Sequence, residues 1–323
     1  MRVRGRGELG LCLGLVAAGM ITLACAEAED QSSASVGGNV TGTSTSAGGD
    51  DAGARGGSAP NTPSTATAGG SESSTGLTTS TCTGEDAKFS FFLASQAALV
   101  RESGSADGFG GDLGGLVGAD AICQRIAETS APCHKGKIGW RAFLSTSTVN
   151  AKDRIGKGPW YDRRGRLLAQ DLANLLKDRP AGGDSAIVND LPNENGTPNH
   201  KPDGTQVDNH QIITGTGTDG NVYKQSTTGT GTGKFTGSQN ACLETWSVDS
   251  ATCRGWTTKK PEGCPRVGHS WPAMSGTNWM SVWNESGCAP GGTGAESGGT
   301  DSSRKIGSAG GYGGFYCFAV TGS

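Results

Sequence analysis

The familiar catalytic signatures are what this sequence lacks. It has no G-x-S-x-G elbow to present a serine to a base, no H-E-x-x-H helix to hold zinc, and no G-x-x-x-x-G-K-[ST] loop to cradle a phosphate. Histidine occurs only four times in 323 residues, too sparsely for spacing to mark a triad. No two cysteines stand two residues apart, so the close ligand pairs of a structural zinc site are missing. A dominant charge sign is missing too: 27 basic residues against 30 acidic leave a formal charge of −3, with no bulk field to draw nucleic acid or an acidic partner. These absences turn the reading away from an enzyme, leaving a hydrolase built from carboxylates distant in sequence as the catalytic alternative.

What is present begins with an export signal. Arg2, Arg4 and Arg6 precede Leu9 to Ala24, a run that is apolar apart from glycines and Thr22. A transmembrane helix needs about 20 apolar residues, so this run is short for one. The sequence Thr22-Leu23-Ala24-Cys25 resembles a bacterial lipobox, with Thr22 where leucine normally stands. Residues 1–24 then form a signal peptide and Cys25 becomes the lipidated first mature residue; cleavage after Ala28, giving a soluble secreted chain, is the alternative. Cysteine parity fits the anchor: of ten cysteines, Cys12 leaves with the signal and Cys25 takes the lipid, so an even set remains. The expected address is the cell envelope or outer surface, with the membrane as partner through the lipid. Residues 25–81 are mostly Ser, Thr, Gly and Ala, broken by Pro60 and Pro63. Without apolar side chains to offset ordering entropy, this stretch reads as a disordered linker with a reach of roughly 40 Å.

Residues 82–323 make one domain. Its cysteines, Cys82, Cys123, Cys133, Cys242, Cys253, Cys264, Cys288 and Cys317, read as a disulfide framework in an oxidising compartment. The 56 glycines of the chain and its few helix signals predict a loop-rich α+β fold stapled by disulfides. Ala119, Ile122, Cys123, Ile126 and Ala127 form the stripe of a short helix, with Asp120 placed to complement its dipole. Leu172, Leu175 and Leu176 mark a second helix over 171–177. Residues 88–94 and 315–320 read as strands, the first with Phe89 and Phe91 on one face. Residues 187–240 read as long surface loops around small strands such as Ile212-Ile213. The alternating Gly and Thr of 215–233 reads as a mobile loop.

Several short motifs occur in a specific order. They are Phe91-Phe92, then residues 114–123 (Gly-Gly-Leu-Val-Gly-Ala-Asp-Ala-Ile-Cys), Arg141-Ala142-Phe143-Leu144-Ser145, Asp153-Arg154-Ile155 and Gly158-Pro159-Trp160. Asn193-Glu194-Asn195-Gly196, Thr214-Gly215-Thr216, Cys253-Arg254-Gly255-Trp256-Thr257 and Tyr316-Cys317-Phe318 follow. Together they resemble bacterial exported domains of the endostatin-like branch of the C-type-lectin-like fold, over nearly all of residues 88–320. The resemblance implies a small mixed sheet flanked by two helices, an outer disulfide Cys123–Cys317 and an inner one Cys253–Cys288. The chain departs from the pattern in a long insertion between Trp256 and Phe315 and in four extra cysteines. Proximity pairs Cys82 with Cys133 and Cys242 with Cys264, although three pairings of the four are open.

Three stretches are candidate binding sites. Trp283-Asn284-Glu285-Ser286-Gly287-Cys288 resembles the Trp-Asn-Asp-x-x-Cys element of calcium-dependent lectins, which makes Asn284 and Glu285 candidate oxygen ligands for Ca2+. Glu285 replaces the aspartate, and the upstream partner motif is reduced to Lys260-Pro261-Glu262, with a lysine where a cation belongs. The oxygen-rich stretch from Asn189 to His210 offers Asn193, Glu194 and Asn195 to a ligand or calcium ion. It is not an EF-hand: setting Gly196 at the obligatory glycine puts Leu191 and Pro202 at ligand places. Its polar residues equally cap their own turns, and His200 and His210 read as metal ligands or exposed loop residues. Arg154, Arg163, Arg164 and Arg166 lie close in sequence, and the endostatin-like resemblance implies polyanion binding through arginines; Asp153 and Asp162 offer them structural partners instead. The expected function is a tethered extracytoplasmic recognition or surface-display module without catalytic activity, binding a glycan or protein and not nucleic acid. A calcium-assisted or polyanion-binding lectin and a structural envelope protein are the alternatives.

Overall fold

Glycine breaks regular structure often enough that short elements dominate. The computed structural model describes residues 81–201, 207, 209–224, 247–271, 277–291, 304–307 and 310–320. The export signal, Cys25, Ala28, the linker to residue 80 and Cys242 lie outside the described residues. The helices are α1 (Gly84–Lys88), α2 (Gln96–Ser103), α3 (Gly115–Ser130), α4 (Leu172–Leu175), α5 (Ser185–Val188) and α6 (Val248–Ala251). The strands are β1 (Phe91–Leu93), β2 (Gly139–Ala142), β3 (Trp160–Tyr161), β4 (Leu167–Ala169), β5 (Gln211–Ile213), β6 (Arg266–His269), β7 (Trp283–Asn284), β8 (Gly311–Gly314) and β9 (Tyr316–Val320). The architecture is mixed α+β, and no described helix is long and apolar enough to cross a membrane.

The expected single mixed sheet is divided into three. One has the antiparallel order β1-β9-β2, one is the hairpin β3-β4, and the third is β7-β6-β5-β8, in which β5 and β8 run parallel. The division falls at Phe315, between β8 and β9, where the chain passes from the third sheet into the first. Both faces of β9 are buried. Cys317 and Ala319 belong to one core with Trp140, Ile122 and Ile126, whereas Tyr316 and Phe318 belong to a second with Phe91, Trp160 and Trp279. A strand covered on both sides reads as an unbroken apolar run, so its phase cannot be taken from alternation. That corrects the reading of Phe89 and Phe91. Helix α1 runs to Lys88 and the pleat begins only at Phe91, so Phe89 packs with Phe92 and Trp140 while Phe91 faces the other core.

The helical stripe is seen as spaced: Ala119, Ile122, Cys123, Ile126 and Ala127 are all buried in α3, which packs on β2 and β9. Cys123 is bonded to Cys317 across this contact, closing a separation of 194 residues. Taken alone, a loop of that length corresponds to about 5 kcal/mol of unfolded-state entropy. Asp120 is the sixth residue of α3 and does not serve the dipole. Its carboxylate accepts from the Ala142 N–H at 2.9 Å and from Arg154 at 2.7 and 2.8 Å, clamping α3 to β2. Helix α4 is a single turn capped by the Asp171 carboxylate, with Leu175 buried and Leu172 and Leu176 packed at the edge of the second core.

The loops between 187 and 224 are not surface loops throughout. Leu191, Asn193, Glu194, Asn199 and Asn209 are buried, with Asn199 and Asn209 exchanging side-chain to carbonyl hydrogen bonds at 3.1 and 2.6 Å. Of the Gly/Thr stretch 215–233, residues 225–233 lie outside the described residues, and 215–224 form a hairpin closed by the bridge between Thr216 and Val222. It is seated on a turn in which Cys253, Arg254, Gly255 and Trp256 all have left-handed backbone, at φ of 45°, 56°, 70° and 67°. For three of these four the left-handed region costs about 1 kcal/mol or more each. The Cys253–Cys288 disulfide and a 2.8 Å bond from the Trp256 indole to the Ser145 carbonyl hold the turn in place. Gly215, at φ 64°, lies so close that a Cβ would come within 2.9 Å of Trp256.

Candidate functional site

Side chains alternate along a strand, so Arg266 and Gly268 of β6 face one way and Val267 and His269 the other. The pairing of β6 with β7 extends this division, setting Asn284 beside Arg266 and Trp283 beside Val267. Two different environments result on the two faces of one four-residue strand.

On the Arg266 face lies a cleft of about 450 Å³, lined by Asn150, Asp219, Asn221, Tyr223, Arg266 and Ser281 among others. The hairpin of residues 215–224 forms one wall, tied to the body by the Val222 N–H donating to the Asn150 side chain at 3.1 Å. Arg266 is only 5% exposed. Its Nε donates to Ser281 Oγ at 2.8 Å and its Nη1 to Asn284 Oδ1 at 3.0 Å, while its guanidinium stacks 4.1 Å from the Tyr223 ring. Among the described residues no carboxylate lies within ion-pair distance of it. Burial pulls the Arg266 pKa down to about 10, opposed by Tyr223, which still leaves a full positive charge at neutral pH. At the rim, burial raises Asp219, but hydrogen bonds from Asn221 with help from Lys152 outweigh it and hold the carboxylate below its usual range.

On the opposite face, His269 is 1% exposed and accepts at Nδ1 from the Trp271 N–H at 3.0 Å, which leaves the proton on Nε2. His210 stacks on it at 4.5 Å, and Trp283 and Trp271 pack at 5.5 and 5.7 Å. His200 lies 4.3 Å from the Trp271 ring, its Nδ1 2.5 Å from Asp190. Burial first, then the neighbouring His210, pushes the His269 pKa down to about 3. Burial raises the Asp190 carboxyl against the opposing pull of His200 and Lys201. Three of the chain's four histidines thus meet in one aromatic cluster. Among the described residues the one group whose metal-ligating atoms lie mutually close is Cys82, Cys133 and His134, and its two sulfurs are bonded to each other.

The residues singled out by sequence are otherwise dispersed. Asn284 gives its oxygen to Arg266, so a guanidinium stands where the calcium reading required a metal ion; Glu285 beside it is fully buried. Lys260, Pro261 and Glu262 are exposed. Asn193 Oδ1 accepts from the N–H of Asn195 and from Thr197, closing its own turn, and Glu194 accepts from Ser95 N and Oγ at 3.0 and 2.7 Å, at the start of α2. Asn195 is exposed. These three do not converge on a cation.

The arginines do not form one basic face either. Arg154 pairs with Asp120, Arg163 with Asp86 and Ser130, and Arg166 with Asp162, while the stem of Arg164 packs against Gly196. Cysteines pair as Cys82–Cys133, Cys123–Cys317 and Cys253–Cys288; Cys264 is also disulfide-bonded, and Cys242 lies outside the described residues. Arg266 and His269 were missed in the sequence, as was the meeting of His200 and His210 with His269 and Trp271, because their partners come from segments far apart in the chain. Among the described residues, the one local contact in the cluster is between His269, the last residue of β6, and Trp271 two residues beyond the strand, whose N–H donates to His269 Nδ1. No protein-family model matches the chain, and no curated protein matches it.

Proposed function

We propose that the chain is an exported recognition module without catalytic activity, held to a membrane by a lipid on Cys25, with its ligand seat in the cleft floored by Arg266. Nested disulfides at Cys123–Cys317 and Cys253–Cys288 support a domain of the endostatin-like, C-type-lectin-like kind. The same bridges support an oxidising, extracytoplasmic address. The observation that carries the ligand seat is the buried guanidinium of Arg266, charged, lacking a carboxylate partner among the described residues and placed at the floor of the cleft. A buried charge without a counter-ion is costly, and a complementary ligand group recovers part of that cost. Thermal-shift screening of sugars, sugar acids and amino acids against the mature chain and its Arg266→Met variant tests this. A ligand that stabilises the wild type and not the variant is expected; ligands that stabilise both equally place the seat elsewhere. Mass spectrometry of the exported protein should show a diacyl or triacyl adduct on Cys25, and an unmodified chain beginning after Ala28 would remove the anchor.

A further inference from the structure

We infer that the cleft takes a small polyhydroxylated monocarboxylate, a sugar acid, whose carboxylate meets the in-plane edge of Arg266 without a metal ion. This rests on the cleft being the ligand seat. Tyr223 covers a face of the guanidinium, and Nε and Nη1 are engaged by Ser281 and Asn284. The Nη2 edge is what remains for a ligand, and an in-plane oxygen is the geometry a carboxylate supplies. The cationic side chains outnumber the acidic one: Lys224 lines the same cleft, and Lys152 reaches its rim at the Asp219 carbonyl, 3.5 Å away, beside the single carboxylate of the lining, Asp219. The carboxylate of Asp219 is already engaged by the N–H and the side-chain amide of Asn221.

The rest of the lining selects for hydroxyls. Asn150, Thr218, Asn221 and Ser281 carry amides or hydroxyls, and Val222 is the one aliphatic side chain larger than a methyl among the lining residues. A surface with that composition satisfies alcohol groups and gives little to an apolar ligand. A volume of about 450 Å³ suits a small molecule and not a length of polymer. The cation offered to the ligand is the protein's own. Asn284, the oxygen donor expected to hold calcium, holds the guanidinium instead.

The test is isothermal titration of the mature chain with D-galacturonate, with D-galactose as its neutral counterpart and with a heparin hexasaccharide as a sulfated polyanion. Galacturonate is expected to bind at least tenfold more tightly than galactose, unchanged by a chelator, with a loss of at least tenfold in Arg266→Met and a smaller loss in Arg266→Lys. The lysine variant keeps the charge and guards against a fold effect in the methionine variant, as does an unchanged near-ultraviolet dichroism spectrum. Equal binding of galactose and galacturonate, both lost in Arg266→Met, would keep the seat and overturn the acid. Galacturonate binding that survives Arg266→Met would overturn the seat itself. Tighter binding of heparin than of galacturonate, binding abolished by the chelator, or no binding of galacturonate at all would each overturn the inference.

Discussion

The two faces of strand β6 bury ionisable groups only three residues apart, and one ends charged while the other ends neutral. On one face Arg266 keeps its proton with its pKa lowered to about 10; on the other His269 is held neutral with its pKa lowered to about 3. The same cause, removal from water, acts on both. The difference lies in the starting affinity for the proton, which is high enough in arginine to survive burial at neutral pH and too low in histidine. One face therefore keeps a buried cation, and the other keeps a neutral imidazole that acid can disturb.

The largest way to break this comparison is to remove what both faces rest on. Replacing Cys123 and Cys317 by alanine should cost about 5 kcal/mol in the chain-entropy estimate. Because the bridge ties α3 to the strand that separates the two cores, chemical denaturation should show both halves loosening together. A variant that unfolds at the wild-type midpoint would show the bridge to be idle.

Next is the pH response of the histidine face. The folded-state pKa of His269 lies below its ordinary value of 6.5, so between about 6.5 and about 3 the unfolded chain binds more protons. Its contribution is intact above 6.5 and is lost as pH falls through that window, with a slope of up to about 1.4 kcal/mol per pH unit for one proton. Asp190 acts in the opposite sense: its raised pKa makes the folded state take up a proton first, which favours folding as pH falls toward the carboxylate range. His269→Gln, which retains an acceptor for the Trp271 N–H, should flatten the stability profile between pH 6.5 and 4 without changing ligand binding in the cleft. An unaltered acid slope, measured by urea denaturation across that range, would remove His269 from the explanation.

Smaller effects sharpen the picture away from β6. Glu194→Gln weakens two charge-assisted bonds to Ser95, at the start of α2, and should cost about 1–2 kcal/mol in urea denaturation. A cost near zero would return Glu194 to the pool of ligand candidates. Smallest is Val117, 82% exposed on α3, where serine should change stability by less than about 0.5 kcal/mol. A larger loss there would reveal a contact that the isolated chain does not make.

What the sequence made legible was local or covalent. The α3 stripe, the single turn at Leu172–Leu175 and the strand at Tyr316–Val320 each depend on residues within a few positions of one another. The phase of β1 was not legible because both of its faces are buried, leaving no polar alternation to read. The cleft was hidden for another reason. Arg266 becomes notable only when Tyr223, Ser281 and Asn284 arrive from separate segments. The histidine cluster assembles from residues 190 to 283 in the same way, whereas the arginines that stood out by their sequence density are dispersed onto separate partners.

The most direct measurement is a crystal structure of the mature domain soaked with D-galacturonate. The expected result is a carboxylate oxygen within hydrogen-bond distance of Arg266 Nη2, with the sugar hydroxyls on Asn150 or Asn221 and no metal ion between them. A sugar seated elsewhere, or a carboxylate that bypasses Arg266, would contradict the assignment of this cleft.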